Sequence, residues 1–227
     1  MEKAGADVKR IAAREPMIDP AGLACFFELH IEQGPVMIAR KVPVGLVTGI
    51  RGNIRHPQAI CRGEAAHAGA VPRWLRHDAV FALSDLVMRL DQHWLILMEQ
   101  GEDLVVTLGI VGTDPVEHAM SRVPGEIGFS LEYRSQSAEM LASFDGILRE
   151  EMANVGRSRG VTFELGPALP TAPARTDPAL VDHLAAVCKA ASIPYERLPS
   201  GAGHDAAVFA NAGVPTAMIF VRNEHGS

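Results

Sequence analysis

Cysteine is scarce in this chain of 227 residues: Cys25, Cys61 and Cys188 are odd in number and far apart. That spacing excludes a CxxC motif and a disulfide framework, and it reads as buried or incidental thiols in a reducing cytoplasm. Basic blocks are missing too. With 27 acidic against 21 basic residues, the formal net charge is −6. That argues against a general nucleic-acid binder and against a surface for anionic lipid. No apolar run approaches the ~20 residues of a membrane-spanning helix. Met1 to Arg14 is charged and has no apolar signal core, so secretion is not expected. There is no GxSxG elbow, and the Gly-rich segment Ser200 to Ala206 lacks the GxGxxG and Gly-Lys-Ser/Thr spacings of phosphate loops. No HxD or Glu-Glu segment stands ready to complete a metal site, since Glu150-Glu151 reads as the solvated face of a helix. What remains, 48% hydrophobic and 21% charged, is ordinary for a soluble globular protein of one large domain or two small ones.

Apolar periodicity sets out the elements. Cys25 to Ile31 is a compact apolar run that reads as a buried strand ending at Glu32-Gln33-Gly34-Pro35, and Val44 to Ile50 is a second strand. Gly52 and Asn53 read as a hinge. Ala59 to Arg62, Leu104 to Val111, Glu126 to Tyr133 and Val161 to Leu165 are strand-like; Arg76 to Leu90 and Ser137 to Arg157 are amphipathic helices. From about Asn53 to Leu165 the order is therefore β, α, β, β, α, β, the split-βαβ ferredoxin-like pattern. Gly166 to Pro178 is Pro-rich and reads as a linker or crossover. Asp177-Pro178 starts a helix whose buried face is Leu180, Leu184, Val187 and Ala191; a short helix from His204 to Gly213 and a buried strand, Val214 to Val221, follow. The class is α/β, with a middle α+β unit inserted between two flanks of another sheet.

Three histidines stand out among small or acidic neighbours at the ends of apolar runs: His30, His67 and His204. A neutral imidazole at a strand end is a good zinc ligand, although a lone strand-end histidine is more often simply hydrogen-bonded. His67 lies in Gly63 to Pro72, a loop of Ala and Gly that admits a close approach and places a donor for an oxyanion; the alternative is a surface turn. His204 opens a helix after Ser200-Gly201-Ala202-Gly203, where backbone amides suit an anion. Arg134, ending a strand, is either a carboxylate clamp or an exposed strand-end cation. His56, His77, His93, His118 and His183 show no metal-ligand spacing.

Together these segments resemble the zinc amidohydrolases that include allantoate amidohydrolase and N-carbamoyl-L-amino-acid hydrolase, within the wider zinc peptidases that carry a dimerisation lid. The resemblance rests on Phe27 to Pro35, on Gly63 to Pro72 with Arg76 and Asp78, on Val123-Pro124-Gly125 with Arg134, and on Leu198 to Ala206. It implies a partial zinc-peptidase-like catalytic domain (1–52 and 166–227) split by a ferredoxin-like lid (53–165), and a homodimer through that lid. It also implies roles. His30 would ligate one of two divalent metals, zinc or another. His67 would stabilise the oxyanion in the partner subunit. Gln33, Asn53, Arg134 and His204 would hold a small ureido or carbamoyl substrate. The family's upstream HxD motif, bridging Asp and Glu-Glu pair have no counterpart here, and its last ligand His normally follows a Ser like Ser227. The resemblance therefore leaves His30 as the lone residue to touch the metal and implies an inactive fragment. Ser121 and Ile54 replace an Asn and an Arg common in the family. The rival expectations are a non-catalytic dimerisation or ligand-binding module, and a related aminoacylase or dipeptidase.

Overall fold

A computed structural model describes residues 3, 5–13, 15, 18–117 and 119–224; His118, His225 and Ser227 lie outside it. In chain order the elements are α1 (Val8–Ala12), β1 (Phe26–Ile31), α2 (Val36–Ala39), β2 (Val44–Ile50), β3 (Gly52–Arg62), β4 (Ala66–His67), α3 (Ala79–Glu99), β5 (Val105–Thr107) and β6 (Val111–Gly112). Then come β7 (Arg122–Val123), β8 (Glu126–Ser135), α4 (Ala138–Arg159), β9 (Thr162–Glu164), β10 (Leu169–Thr171), β11 (Ala174–Arg175), α5 (Pro178–Ala190), β12 (Tyr195–Ser200), α6 (Asp205–Asn211) and β13 (Thr216–Val221). They form two compact units. One comprises residues 49–174 and 199–203; the other comprises 1–48, 175–198 and 204–227. Among the described residues, no helix is long and apolar enough to cross a membrane.

In the 49–174 unit, β9 and β10 both pair with β3, β3 pairs with β8, and β8 pairs with β5 and β6, all antiparallel. With α3 and α4 this is the expected split-βαβ topology. Along β8 burial alternates strictly, with Ile127, Phe129, Leu131 and Tyr133 inward. That is the period of two of a half-buried strand. Leu83, Leu86 and Leu90 of α3 and Phe144 and Leu148 of α4 close the core. Asp78 caps α3 by accepting from the Val80 and Phe81 amides, and Ser137 caps α4 through Met140. α4 ends at Gly160 in the left-handed region (φ 66°), where a Cβ would also sit 2.8 Å from the His77 ring.

Several expectations are corrected here. Gly52 and Asn53, read as a hinge, begin an eleven-residue strand, and a Cβ on Gly52 would lie 2.3 Å from the Pro173 nitrogen. The Pro-rich stretch 166–178 contains β10 and β11; Pro170 is tolerated because β10 is an edge strand. Pro57 falls in the register shift of β3 between His56 and Ala59, where no ladder donor is required. Glu151 is not solvated. Its side chain is 13% exposed and accepts from Arg89 and His93 of α3 at 3.0 and 3.1 Å, clamping the two helices together. The face of α5 is shifted by one residue: Val181, Ala185 and Cys188 are buried, and Val187 is exposed.

His56, featureless in the sequence, is 1% exposed. Its ring stacks near Tyr133, and its Nε2 lies 4.0 Å from Asp145, which accepts from the Tyr133 hydroxyl at 2.7 Å and pairs with Arg149. The carbonyls of Leu165 and Gly166 approach the ring without completing a hydrogen bond. Burial lowers the His56 pKa; Asp145 raises it and Arg149 lowers it further, and burial wins. The imidazole is therefore neutral when folded and takes up a proton on unfolding. Stability from this group is full above the unfolded pKa, about 6.5, and falls as pH drops from there towards the folded pKa. Urea midpoints measured down this range should decline for the wild-type chain. His56→Leu should flatten that decline; an identical slope in the variant would remove His56 as its cause.

In the second unit β1 pairs with β13 in parallel, and β13 with β2 antiparallel; β2 also pairs with β11 and β12. Leu46 packs with Val181, Ala185 and Cys188 of α5. Asp177 caps α5 and Pro178 takes its first turn. β1 is not fully buried. It lies at the sheet edge, with Phe27 and Leu29 48% and 70% exposed. Two of the thiols are buried, and burial, then the Asp78 charge, pushes Cys61 up to about 12. Cys25 is exposed. A thiol reagent should therefore label Cys25 rapidly in the folded chain and Cys61 and Cys188 only after denaturation. Rapid labelling in a Cys25→Ser variant would contradict that burial.

Candidate active site

The period of two along β1 puts Phe26, Glu28 and His30 on one face, and that face meets the start of α6. Phe26 stacks on Phe209 with ring centroids 4.0 Å apart. Glu28 accepts from the Ala206 amide through Oε2 at 2.7 Å, and its Oε1 lies 3.4 Å from His204 Nδ1. His30 meets His204 edge-on, with centroids 4.7 Å apart. One donor atom from each of Glu28, His30 and His204 lies within 4.8 Å of the others.

The hydrogen-bond pattern suits cation binding. His30 Nδ1 lies 2.8 Å from the Ile31 carbonyl oxygen, a contact it makes as donor, which leaves Nε2 with a free lone pair. The His204 side chain is 2% exposed. Burial lowers its pKa; Glu28 raises it, His30 lowers it, and the balance keeps the ring neutral. Two imidazoles and a carboxylate form a donor set suited to zinc. The sequence reading left His30 as the only ligand; the fold brings two further donors to it.

Gln33 follows β1 on left-handed backbone (φ 55°) and is exposed. Its neighbour Glu32 is committed to α2, accepting from the Val36 and Met37 amides at 2.8 and 3.0 Å.

Asn53 and Arg134 belong to the 49–174 unit and are cross-strand partners on β3 and β8. Asn53 is 6% exposed and its Oδ1 has no hydrogen-bond partner. Arg134 donates to the Gly201 carbonyl at 2.6 Å and to Glu132 at 2.9 Å. Burial would raise the Glu132 pKa, but bonds from Arg55 and Arg134 outweigh it and hold the carboxyl below its usual range. Arg134 is thus a half-buried cation already oriented by a carboxylate.

His67 stands apart on the short β4–β7 ladder, opposite Arg122, and is exposed. The Gly69 amide donates to its Nδ1 at 3.2 Å, which places the ring proton of the neutral form on Nε2, pointing a donor outward. The glycines beside it serve packing as well as access. A Cβ on Gly63 would fall 1.9 Å from the His77 carbonyl oxygen, and one on Gly125 would fall 2.7 Å from the Ala65 nitrogen.

A family model described as peptidase family M20/M25/M40 matches residues 2–227. The chain belongs to that family. Among curated relatives, an allantoate amidohydrolase of Escherichia coli is 31% identical over 93% of this chain and 50% of its own length. An N-carbamoyl-L-amino acid amidohydrolase of Geobacillus stearothermophilus is 31% identical over 100% of this chain and 53% of its own. A solved hydantoinase/carbamoylase-family amidase from Burkholderia phymatum superposes with a TM-score of 0.79 at 30% identity, covering 90% of this chain and 50% of that one. The chain spans about half the length of the curated relatives it matches. The resemblance found in the sequence is thereby established at the level of the family, and so is the α/β class.

Glu28 is masked in the sequence by the apolar character of the run from Cys25 to Ile31. The signal was present: Phe27-Glu28-Leu29-His30 alternates, and alternation puts both polar groups on one face.

Proposed function

We propose that this chain supplies part of the active site of a metal-dependent amidohydrolase. The enzyme would cleave a carbamoyl or amide C–N bond in a small carboxylate-bearing ureido compound, such as allantoate or an N-carbamoyl-L-amino acid. The convergence of Glu28, His30 and His204 carries this reading, and the names of the relatives support the substrate class. His30, with Glu28 and His204 beside it, would hold zinc or another divalent ion. Such an ion, when bound, polarises the scissile carbonyl and acidifies water. The outward Nε2–H of His67 suits donation to the oxygen that gains charge as the carbon becomes tetrahedral. Arg134, Asn53 and Gln33 would orient the carboxylate and ureido groups, while His204, given to the substrate by the resemblance, would serve the ion; the unpartnered Asn53 Oδ1 suits a substrate N–H.

In this reading residues 53–165 form a lid inserted into a catalytic domain made of 1–52 and 166–227, and two copies pair through their lids so that His67 serves the neighbouring copy. Met88, Leu95 and Met98 support that pairing: they are 57%, 57% and 54% exposed at spacings of seven and three along α3. β5, at one end of the sheet order, offers an edge for strand addition. Two buried cysteines fit a reducing cytoplasm.

Both carboxylates of the β1 segment are engaged, Glu28 by Ala206 and Glu32 by Val36 and Met37. With Glu28 given to the ion and Glu32 to α2, this segment leaves no carboxylate over as a base, so the chain alone should not turn over substrate. The test is elemental analysis after dialysis, zinc add-back, and assays on allantoate and N-carbamoyl amino acids. The expected result is little retained metal, a single weak zinc on add-back and no hydrolysis. Turnover by the purified chain would overturn the incomplete-site reading, and failure to bind added zinc would overturn the metal reading.

A further inference from the structure

We propose that the cavity behind the His67 loop is a binding site for a small organic carboxylate, held by Arg73 and Arg76. The cavity lies wholly within the 49–174 unit and has a volume of about 390 Å³, inside the range of small-molecule sites, roughly 300–1,000 Å³. Three guanidinium groups line it, from Arg73, Arg76 and Arg159. Arg76 is half-buried and donates to two neutral acceptors, the carbonyls of Val71 (2.9 Å) and Ala68. Its position is fixed, but among the described residues no carboxylate pairs with its charge. Arg73 is exposed and likewise has no ion-pair partner among the described residues. Arg159 shares the carboxylate of Asp85 with Arg89.

Against these three cations the lining offers one carboxylate, Asp78, whose Oδ1 is committed to the amides of Val80 and Phe81. A concave site with excess positive charge concentrates anions, and a guanidinium fork matches a carboxylate bidentately. The rest of the wall includes Val71, Pro72 and Phe81. A bare oxyanion would satisfy the charge and leave those surfaces wet; an anion with a hydrocarbon body covers them as well. Ala68 and Gly69 also line the cavity, and the Gly69 amide is the donor to His67 Nδ1. An occupant is therefore felt at the His67 ring.

The experiment titrates benzoate into the full chain labelled with ¹⁵N-histidine and follows the His67 ring signals, with acetate and inorganic phosphate as parallel arms. Chelator is present throughout, so the outcome is independent of the metal reading. Saturable benzoate binding is expected, tighter than either parallel arm, and Arg73→Gln should weaken it about tenfold or more, the cost of losing one charge-assisted bond. Because Arg73 is exposed, thermal unfolding of that variant should be unchanged, which separates loss of the site from loss of the fold. Acetate or phosphate binding as tightly as benzoate would overturn the assignment of an organic carboxylate. The site itself would be overturned by the absence of any saturable His67 shift, or by benzoate affinity that Arg73→Gln leaves untouched.

Discussion

His30→Ala is expected to weaken zinc binding by this chain more than any other single change, exceeding the roughly 10–100-fold that removal of an outer-shell partner costs. The reason is geometric. His30 is the one member of the cluster whose Nδ1 is already spent on a backbone carbonyl, so its Nε2 is the nitrogen left for an ion, in a fixed orientation. Glu28 also bonds the Ala206 amide, and His204 is tied to Glu28. Glu28→Gln should therefore cost less than His30→Ala: it keeps an acceptor for Ala206 and loses the charge. Competition against a chromophoric chelator ranks the variants. Equal affinity in wild type and His30→Ala would place the ion elsewhere.

How far that site could be read from sequence depends on which residues are asked about. His30 and His204 are visible because each sits at a change from apolar to small or polar residues, at a strand end and a helix start. Their proximity is not visible, because it comes from parallel pairing of β1 with β13 and from α6 packing under β1, and neither leaves a local trace. Gly63 and Gly125 show the opposite failure. A Gly-rich loop suggests substrate access, yet these two glycines are required by backbone contacts that only the tertiary structure creates. The split-βαβ order was legible because β8, α3 and α4 have strong periods of their own. The two strands in 166–178 were not, because proline in an edge strand resembles proline in a linker.

Phe144→Ala should produce the largest loss of stability, about 3–5 kcal/mol for a buried aromatic. Phe144 is 0% exposed and packs against Tyr133 with ring centroids 5.2 Å apart, so truncation leaves a cavity between α4 and β8. Tyr133 is held from its other end by Asp145, which limits how far the sheet can collapse into the space. Chemical denaturation followed by tryptophan fluorescence reports on the same unit, through Trp94. A loss below about 1 kcal/mol, the scale of a volume-conserving swap, would mean that the core closes over the gap.

The bond from Ala206 to Glu28 joins residues 178 positions apart. In a folding chain such a contact is among the last to be rewarded, since loop closure must be met before the contact contributes anything. The compact 49–174 unit lies inside that loop, and once it has condensed the effective span between β1 and α6 shortens. The histidine cluster is therefore expected to form late, after the unit that its two chain segments bracket. Phe144→Ala, chosen for stability, should also delay the moment at which the chain first becomes able to capture zinc.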